Sequence, residues 1–410
     1  MKNNKLRLPH MSVLRALCAA IFVFASANSA LAQDWRFEPI FKVGGEYDDN
    51  ATLDPRTDQE VDVSGLILEA RADVYYSSPA TSFFVQPRVV SRNYDDDVVS
   101  DSDDLFLRSN FLRQAKLSTI GFRVNFDDQA VRTAERSDSD LEIEDPDEIP
   151  NDDTGRVFRF GSRQKWRVAP YWEYQVSNVS SIGVDLNYID ARYEDVFAGL
   201  LTDYSDARLG LNYRRSLSNV TTWGVFLRGG RYDPKGDREA TDGYGVFAEL
   251  EHTLSEKTRV AMTIGIADTE TPGVETDPEV VGDIRLTRDL ETIRFFALYR
   301  RSIEGGGSGR VSLRDSFNLN FRRRLNERIS AGLGVRAYRS KRLTAALTNV
   351  ERNYVQLQSS VAWYLSKSFV VEADYRYTVI DRGDDVIGGR ANSNRLNLQF
   401  VYQPKTIPKL

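Results

Sequence analysis

The chain has 410 residues, a formal net charge of −6, 41% hydrophobic residues and 11% aromatic ones. With a mean hydropathy of −0.44 and no long apolar helical run, a bundle of spanning helices is excluded. The length exceeds the usual single soluble domain, yet no Pro-, Gly- or Ser-rich linker divides it.

In chain order, the first element is an export signal. Lys2, Lys5, Arg7 and Arg15 form a basic start, Ala16 to Ala27 is a short apolar run, and Ala30-Leu31-Ala32 offers a small-x-small cleavage site. The division expected is a signal peptide at 1–32, an outer-membrane barrel at 33–403 and a short tail at 404–410. Removal of 1–32 takes four basic residues and no acids, so the mature charge is −10. It also takes the only cysteine and leaves His252 as the single histidine.

The mature sequence alternates apolar and polar residues with a period of two, the mark of strands with one face in an apolar medium. Trp166, Val168, Pro170, Trp172, Tyr174 and Val176 form one row, followed by Ile182, Val184, Leu186 and Tyr188. Later rows are Trp223 to Leu227, Tyr244 to Leu250, Val260 to Ile266, Phe317 to Phe321 and Ile329 to Ala337. The last are Val355 to Leu365, Phe369 to Tyr377 and Leu396 to Tyr402. Eight short turns alternate with nine longer polar connections, among them 48–61, 95–104, 132–156 and 302–313, which gives 18 strands. An even count with this alternation predicts an all-β, transmembrane, antiparallel, up-and-down barrel with short periplasmic turns and long extracellular loops. Trp35, Trp172, Trp223 and Trp363 near the short turns, and Tyr47, Tyr188, Tyr244, Tyr299 and Tyr377 near the long loops, form two aromatic belts. A soluble β-sandwich is the competing architecture. Its strands average about 5–6 residues, shorter than several of these rows.

Enzyme chemistry finds little footing. His252 lies on an apolar row, with no nucleophile pattern beside it. One histidine and no mature cysteine argue against zinc. Gly305-Gly306-Gly307-Ser308-Gly309 precedes Arg310 rather than the Lys-Ser/Thr of a phosphate loop, and reads as a flexible loop. The acidic clusters Asp48-Asp49, Asp95 to Asp104 and Asp138 to Asp153 read as solvated loop surface, and the 132–156 segment is long enough to fold inward as a constriction or to be disordered. No catalytic residue, metal site or cofactor is expected, and no nucleic-acid partner. The parity opposite the apolar rows carries the candidate pore-lining residues Arg208, Arg214, Arg228, Arg285, Arg294, Arg300, Arg322, Arg324, Arg336, Arg376 and Arg395. It also carries acids such as Glu69, Glu249, Glu372 and Asp374. Two readings stay open: cross-strand pairing that braces the wall, or a positive lumen that favours anions.

Tyr47-Asp48-Asp49-Asn50, the strand around Ser64-Gly65-Leu66 and the hairpin Arg167–Tyr193 resemble signatures of a β-barrel porin-2-like outer-membrane family. That resemblance implies association with exopolysaccharide gene clusters and hence a passive conduit in exopolysaccharide export. The alternatives are a general diffusion porin for small anionic solutes and a structural or adhesive surface barrel. Expected partners are outer-membrane lipid and lipopolysaccharide, periplasmic polysaccharide-export components, and anionic polysaccharide or small solutes.

Overall fold

In a computed structural model the described residues are 35–56, 58–95, 99–136, 157, 159–196, 200–274, 276–343, 351–383 and 389–404. The expected signal peptide at 1–32 therefore lies outside the described residues, as does the expected tail beyond residue 404. The first nine strands are β1 (Trp35–Asp48), β2 (Val63–Ser77), β3 (Thr81–Tyr94), β4 (Ser102–Gln114), β5 (Ser118–Ala130), β6 (Ser162–Ser177), β7 (Ser180–Glu194), β8 (Tyr204–Ser218) and β9 (Thr221–Pro234). The second nine are β10 (Thr241–Ser255), β11 (Thr258–Glu270), β12 (Glu279–Asp289), β13 (Ile293–Gly306), β14 (Arg310–Arg324), β15 (Ile329–Arg342), β16 (Glu351–Tyr364), β17 (Phe369–Asp381) and β18 (Arg390–Tyr402). One four-residue helical turn, α1 (Val131–Ala134), follows β5.

Each strand pairs antiparallel with its sequence neighbours, and β1 also pairs with β18, so the 18-stranded sheet closes. With strands about 4.8 Å apart and tilted about 40°, the backbone cylinder has a radius of about 18 Å. At the seam, Phe41 to Asp48 face Tyr402 to Arg395, while Trp35 to Ile40 have partners only on β2.

The two faces differ as the apolar rows require. One register row joins Phe321, Leu333, Ser359, Tyr375 and Leu396 on the outside. A neighbouring row joins Asn318, Arg336, Gln356, Thr378 and Ser393 on the inside. Leu333 is 55% exposed, whereas Arg336 and Gln356 are 5% and 3% exposed. Lipid offers no hydrogen bonds, so only a sheet without edges and with an apolar exterior can span it. The protein is an outer-membrane β-barrel.

One connection departs from the sequence expectation. The stretch 302–313 reads as a long loop, but β13 runs through Gly306 and β14 begins at Arg310, so only 307–309 connect them. The glycines there supply close approach rather than slack. A Cβ at Gly305 would come within 2.2 Å of the Tyr232 ring, and one at Gly307 within 2.2 Å of the Tyr193 hydroxyl.

Candidate functional site

Following the register around the barrel places all eleven candidate arginines on inward rows. Arg208 on β8 faces Gly230 on β9, and Arg214 faces Gly224. Arg228 faces Gly245 on β10, in the row of Phe226 and Phe247. Arg285 faces Leu298, and Arg300 faces Asp283. Arg294 and Arg322 face each other. Arg324 faces Ser330, and Arg336 faces Asn318. Arg376 and Arg395 are likewise direct partners.

The structure does not gather these side chains at one point. Arg208, Arg214, Arg228 and Arg285 lie on β8, β9 and β12, and the others fall on two walls of different kind. From β17 through the seam to β3, bases and acids interleave. Arg376 meets Asp374 at 2.8 Å, Lys42 meets Glu372 at 3.2 Å and Arg88 meets Glu69 at 2.9 Å. Arg395 lies 3.9 Å from Glu46. From β13 to β16, the inward rows carry Arg294, Arg300, Arg314, Arg322, Arg324, Arg336, Arg342 and Arg352. Among the described residues, Glu304 is the only carboxylate on those inward rows. Away from the seam, arginines are braced too: Arg208 pairs with Asp206 at 2.7 Å, Arg214 with Glu249 at 3.3 Å and Arg294 with Asp289 at 3.1 Å.

The long-loop mouth is narrowed from inside. After β5 the chain turns inward through α1 to Arg136. The six residues from Val131 to Arg136 are buried, with Val131 fully so. On one side Val131 packs with Tyr193, Tyr204, Tyr232 and Val311 from β7, β8, β9 and β14. On the other, Arg136 is paired with Asp48 and donates to Ser393 Oγ at 2.7 Å, and the Tyr354 hydroxyl donates to its carbonyl at 2.9 Å. Between these ends Arg132 lies over the Tyr94 ring, 4.4 Å from its centroid. Thr133 donates to Asp104 at 3.1 Å, and Glu135 lies 3.8 Å from Arg163. These residues form a strap tied to both sides of the mouth. The β13–β14 tip leans against the same cluster: the Tyr232 hydroxyl donates to the Gly306 carbonyl at 2.6 Å, and Thr202 N–H to that of Gly307 at 2.8 Å. Val157 returns against Leu53, Tyr338 and Tyr354. Of the two readings of 132–156, the inward one describes its first five residues, and 137–156 lie outside the described residues.

Two acidic clusters need correction. Asp48 and Asp104 are not solvated loop residues; both are fully buried strand residues. Asp48 accepts from Ser393 Oγ at 2.7 Å, and Asp49 accepts from the Asn394 backbone and side chain at 2.6 and 2.7 Å. Asn50 then closes the loop, accepting from Asp54 N–H and donating to the Asp54 carbonyl, both at 3.0 Å. Hydrogen bonds from the Arg56 side chain hold the Asp54 carboxyl below the usual range. The Tyr-Asp-Asp-Asn stretch is therefore the clasp of the barrel seam. Sequence reasoning missed the strap residues and the buried tyrosines Tyr193, Tyr204, Tyr232, Tyr338 and Tyr354. Their signal was parity: unlike Tyr47 or Tyr244, these tyrosines fall on inward rows.

No family model and no curated protein matches this sequence. Solved structures similar to it include OccAB4 of Acinetobacter baumannii, at 10% identity over 91% of this chain and 99% of that one, with a TM-score of 0.46. OpdQ of Pseudomonas aeruginosa has 10% identity over 92% of this chain and 100% of that one, with a TM-score of 0.45. The siderophore receptor PirA of Pseudomonas aeruginosa has 10% identity over 90% and 80%, with a TM-score of 0.43. The exopolysaccharide association implied by the Tyr47–Asn50 stretch gains no support from them.

Proposed function

We propose that the protein is a passive outer-membrane channel for small anionic solutes, entered through a mouth narrowed by the 131–136 strap. The observation that carries this reading is the β13–β16 wall, whose inward positions hold Arg294, Arg300, Arg322, Arg324 and Arg336 and, among the described residues of these four strands, one carboxylate, Glu304; Asp289 and Asp283 of the neighbouring β12 face Arg294 and Arg300. Rings of basic side chains favour anions in a pore, and an interior of this strand number leaves room for water. In this reading residues 1–32 are removed on export, 33–403 form the barrel, and loop carboxylates such as Asp101 meet lipopolysaccharide through divalent ions. Planar-bilayer recordings under a salt gradient test it. The wild type should prefer chloride over potassium, and the triple variant Arg294→Glu, Arg322→Glu and Arg324→Glu should lose or invert that preference. Unchanged selectivity would reject the arginine wall as the filter.

The second reading, a conduit in exopolysaccharide export with periplasmic export components as partners, rests on the Tyr47-Asp48-Asp49-Asn50 resemblance. A clean deletion separates the two. Less surface polysaccharide supports export, whereas normal polysaccharide with slower uptake of small anions supports the diffusion channel.

A further inference from the structure

The lipid-facing surface is not uniform. A groove of about 650 Å³ crosses β13 to β17, walled by Phe295, Phe321, Leu333, Leu357, Tyr375 and Tyr377. Ser359, the small residue of its central row, sits between Leu333 and Tyr375. The row through Phe295, Phe321, Leu333, Ser359 and Tyr375 is one continuous set of register partners. Counted from the short-turn end of each strand, those residues are third, fourth, fifth, sixth and seventh. The groove therefore climbs. Four inter-strand steps of about 4.8 Å on strands tilted about 40° give a rise of about 12 Å. That is half of an apolar band about 25 Å tall, or one leaflet.

Charge marks the lower end. Arg288 is the direct partner of Phe295, and Arg323 lies two residues beyond Phe321, opposite Ile293. Both sit on outward rows and both are exposed. Among the described residues neither forms an ion pair, in contrast to the inward Arg294 on β13 between them, which pairs with Asp289. An apolar trough rising through the periplasmic leaflet with two cations at its foot has the shape and charge order of one lipid. The arginines meet a phosphate and the trough takes an acyl chain.

We propose that this face is a binding site for an anionic glycerophospholipid of the periplasmic leaflet. The phosphate lies between Arg288 and Arg323, and one acyl chain lies along the row from Phe295 to Tyr375. Planar guanidinium groups suit phosphate oxygens, and Ser359 leaves the depth the chain fills. The site is independent of what passes through the lumen.

Native mass spectrometry of the full-length barrel in detergent tests it, with phosphatidylglycerol and phosphatidylcholine as the two probes. The wild type should retain one phosphatidylglycerol and little phosphatidylcholine. Arg288→Ser with Arg323→Ser should weaken phosphatidylglycerol retention roughly thirtyfold, as expected for two cations at a lipid surface. Ser359→Trp fills the trough and should abolish retention with both arginines in place. Each variant is first shown to keep the heat-modifiable folded band. Equal retention of the two lipids, or retention unaffected by either variant, overturns the proposal. So does a dimer of the chain that Ser359→Trp dissociates while phosphatidylglycerol stays bound, since the groove's occupant would then be a second copy.

Discussion

The wall from β17 to β3 and the wall from β13 to β16 share one exterior and differ inside. Outside, both present the same apolar register rows, because hydrocarbon sets one rule for every outward residue. Inside, the first wall sets acid against base, as with Arg88 and Glu69 at 2.9 Å. The second places Arg294 directly opposite Arg322, but the first likewise sets Arg376 opposite Arg395, so the difference lies in the acids. Asp374, Glu372 and Glu69 answer the bases of the first wall, whereas Glu304 is the one inward carboxylate described from β13 to β16. The comparison teaches that one apolar exterior accommodates two inner charge patterns, interleaved acid and base near the seam and arginine with little acid from β13 to β16.

Substitutions ranked by expected effect can break this comparison. Asp48→Ala should be the most damaging on the cohesive wall, because it strands the buried Arg136 guanidinium. Removing one partner of a buried pair costs about 3–5 kcal/mol. Urea titration of the reconstituted barrel should show that loss, and single-channel conductance should rise as the strap loosens. A wild-type conductance in Asp48→Ala would mean that the strap is held elsewhere. On the shared exterior, Leu333→Arg should cost about 2–4 kcal/mol if it sits near the midplane. Asn320→Arg, on the inward row of the neighbouring strand, should fold normally. Equal damage at both positions would overturn the register.

Smaller changes sharpen it. Gly305→Val should push the β13–β14 tip away from Tyr232, raising conductance with little change in anion preference, since the tip lies above the arginine wall. A change in selectivity without a change in conductance would contradict that placement. Arg294→Ala should be nearly silent for stability, at about 0–1 kcal/mol, because Arg294 and its partner Asp289 are both more than half exposed. It should still reduce anion preference measurably. That combination, a neutral effect on folding and a visible one on selectivity, is the outcome that would separate the second wall from the first.

The exterior was legible in the sequence and the mouth was not. Trp166 to Val176 and Leu396 to Tyr402 announce outward rows because lipid forces every second residue to be apolar, and the strand count follows from the turns between them. Inward residues answer to no single solvent. Tyr193 and Tyr232 could as well have been belt residues until parity is enforced to the last position of each strand. Gly305 to Gly309 resembles slack, although its bareness serves contact with those tyrosines. Asp48 looked like loop surface because its partners, Arg136 and Ser393, are 88 and 345 residues away in sequence.

That last pair of distances bears on how the molecule comes into being. Arg136 grips Asp48 from the first strand and Ser393 from the last. Its seat is split between two ends of the chain that meet only when the cylinder closes. Until then the Arg136 end of the strap has half a socket, and contacts between such remote segments form slowly because the chain between them must first be ordered. Closing the wall and fastening that end of the strap therefore draw on the same residues.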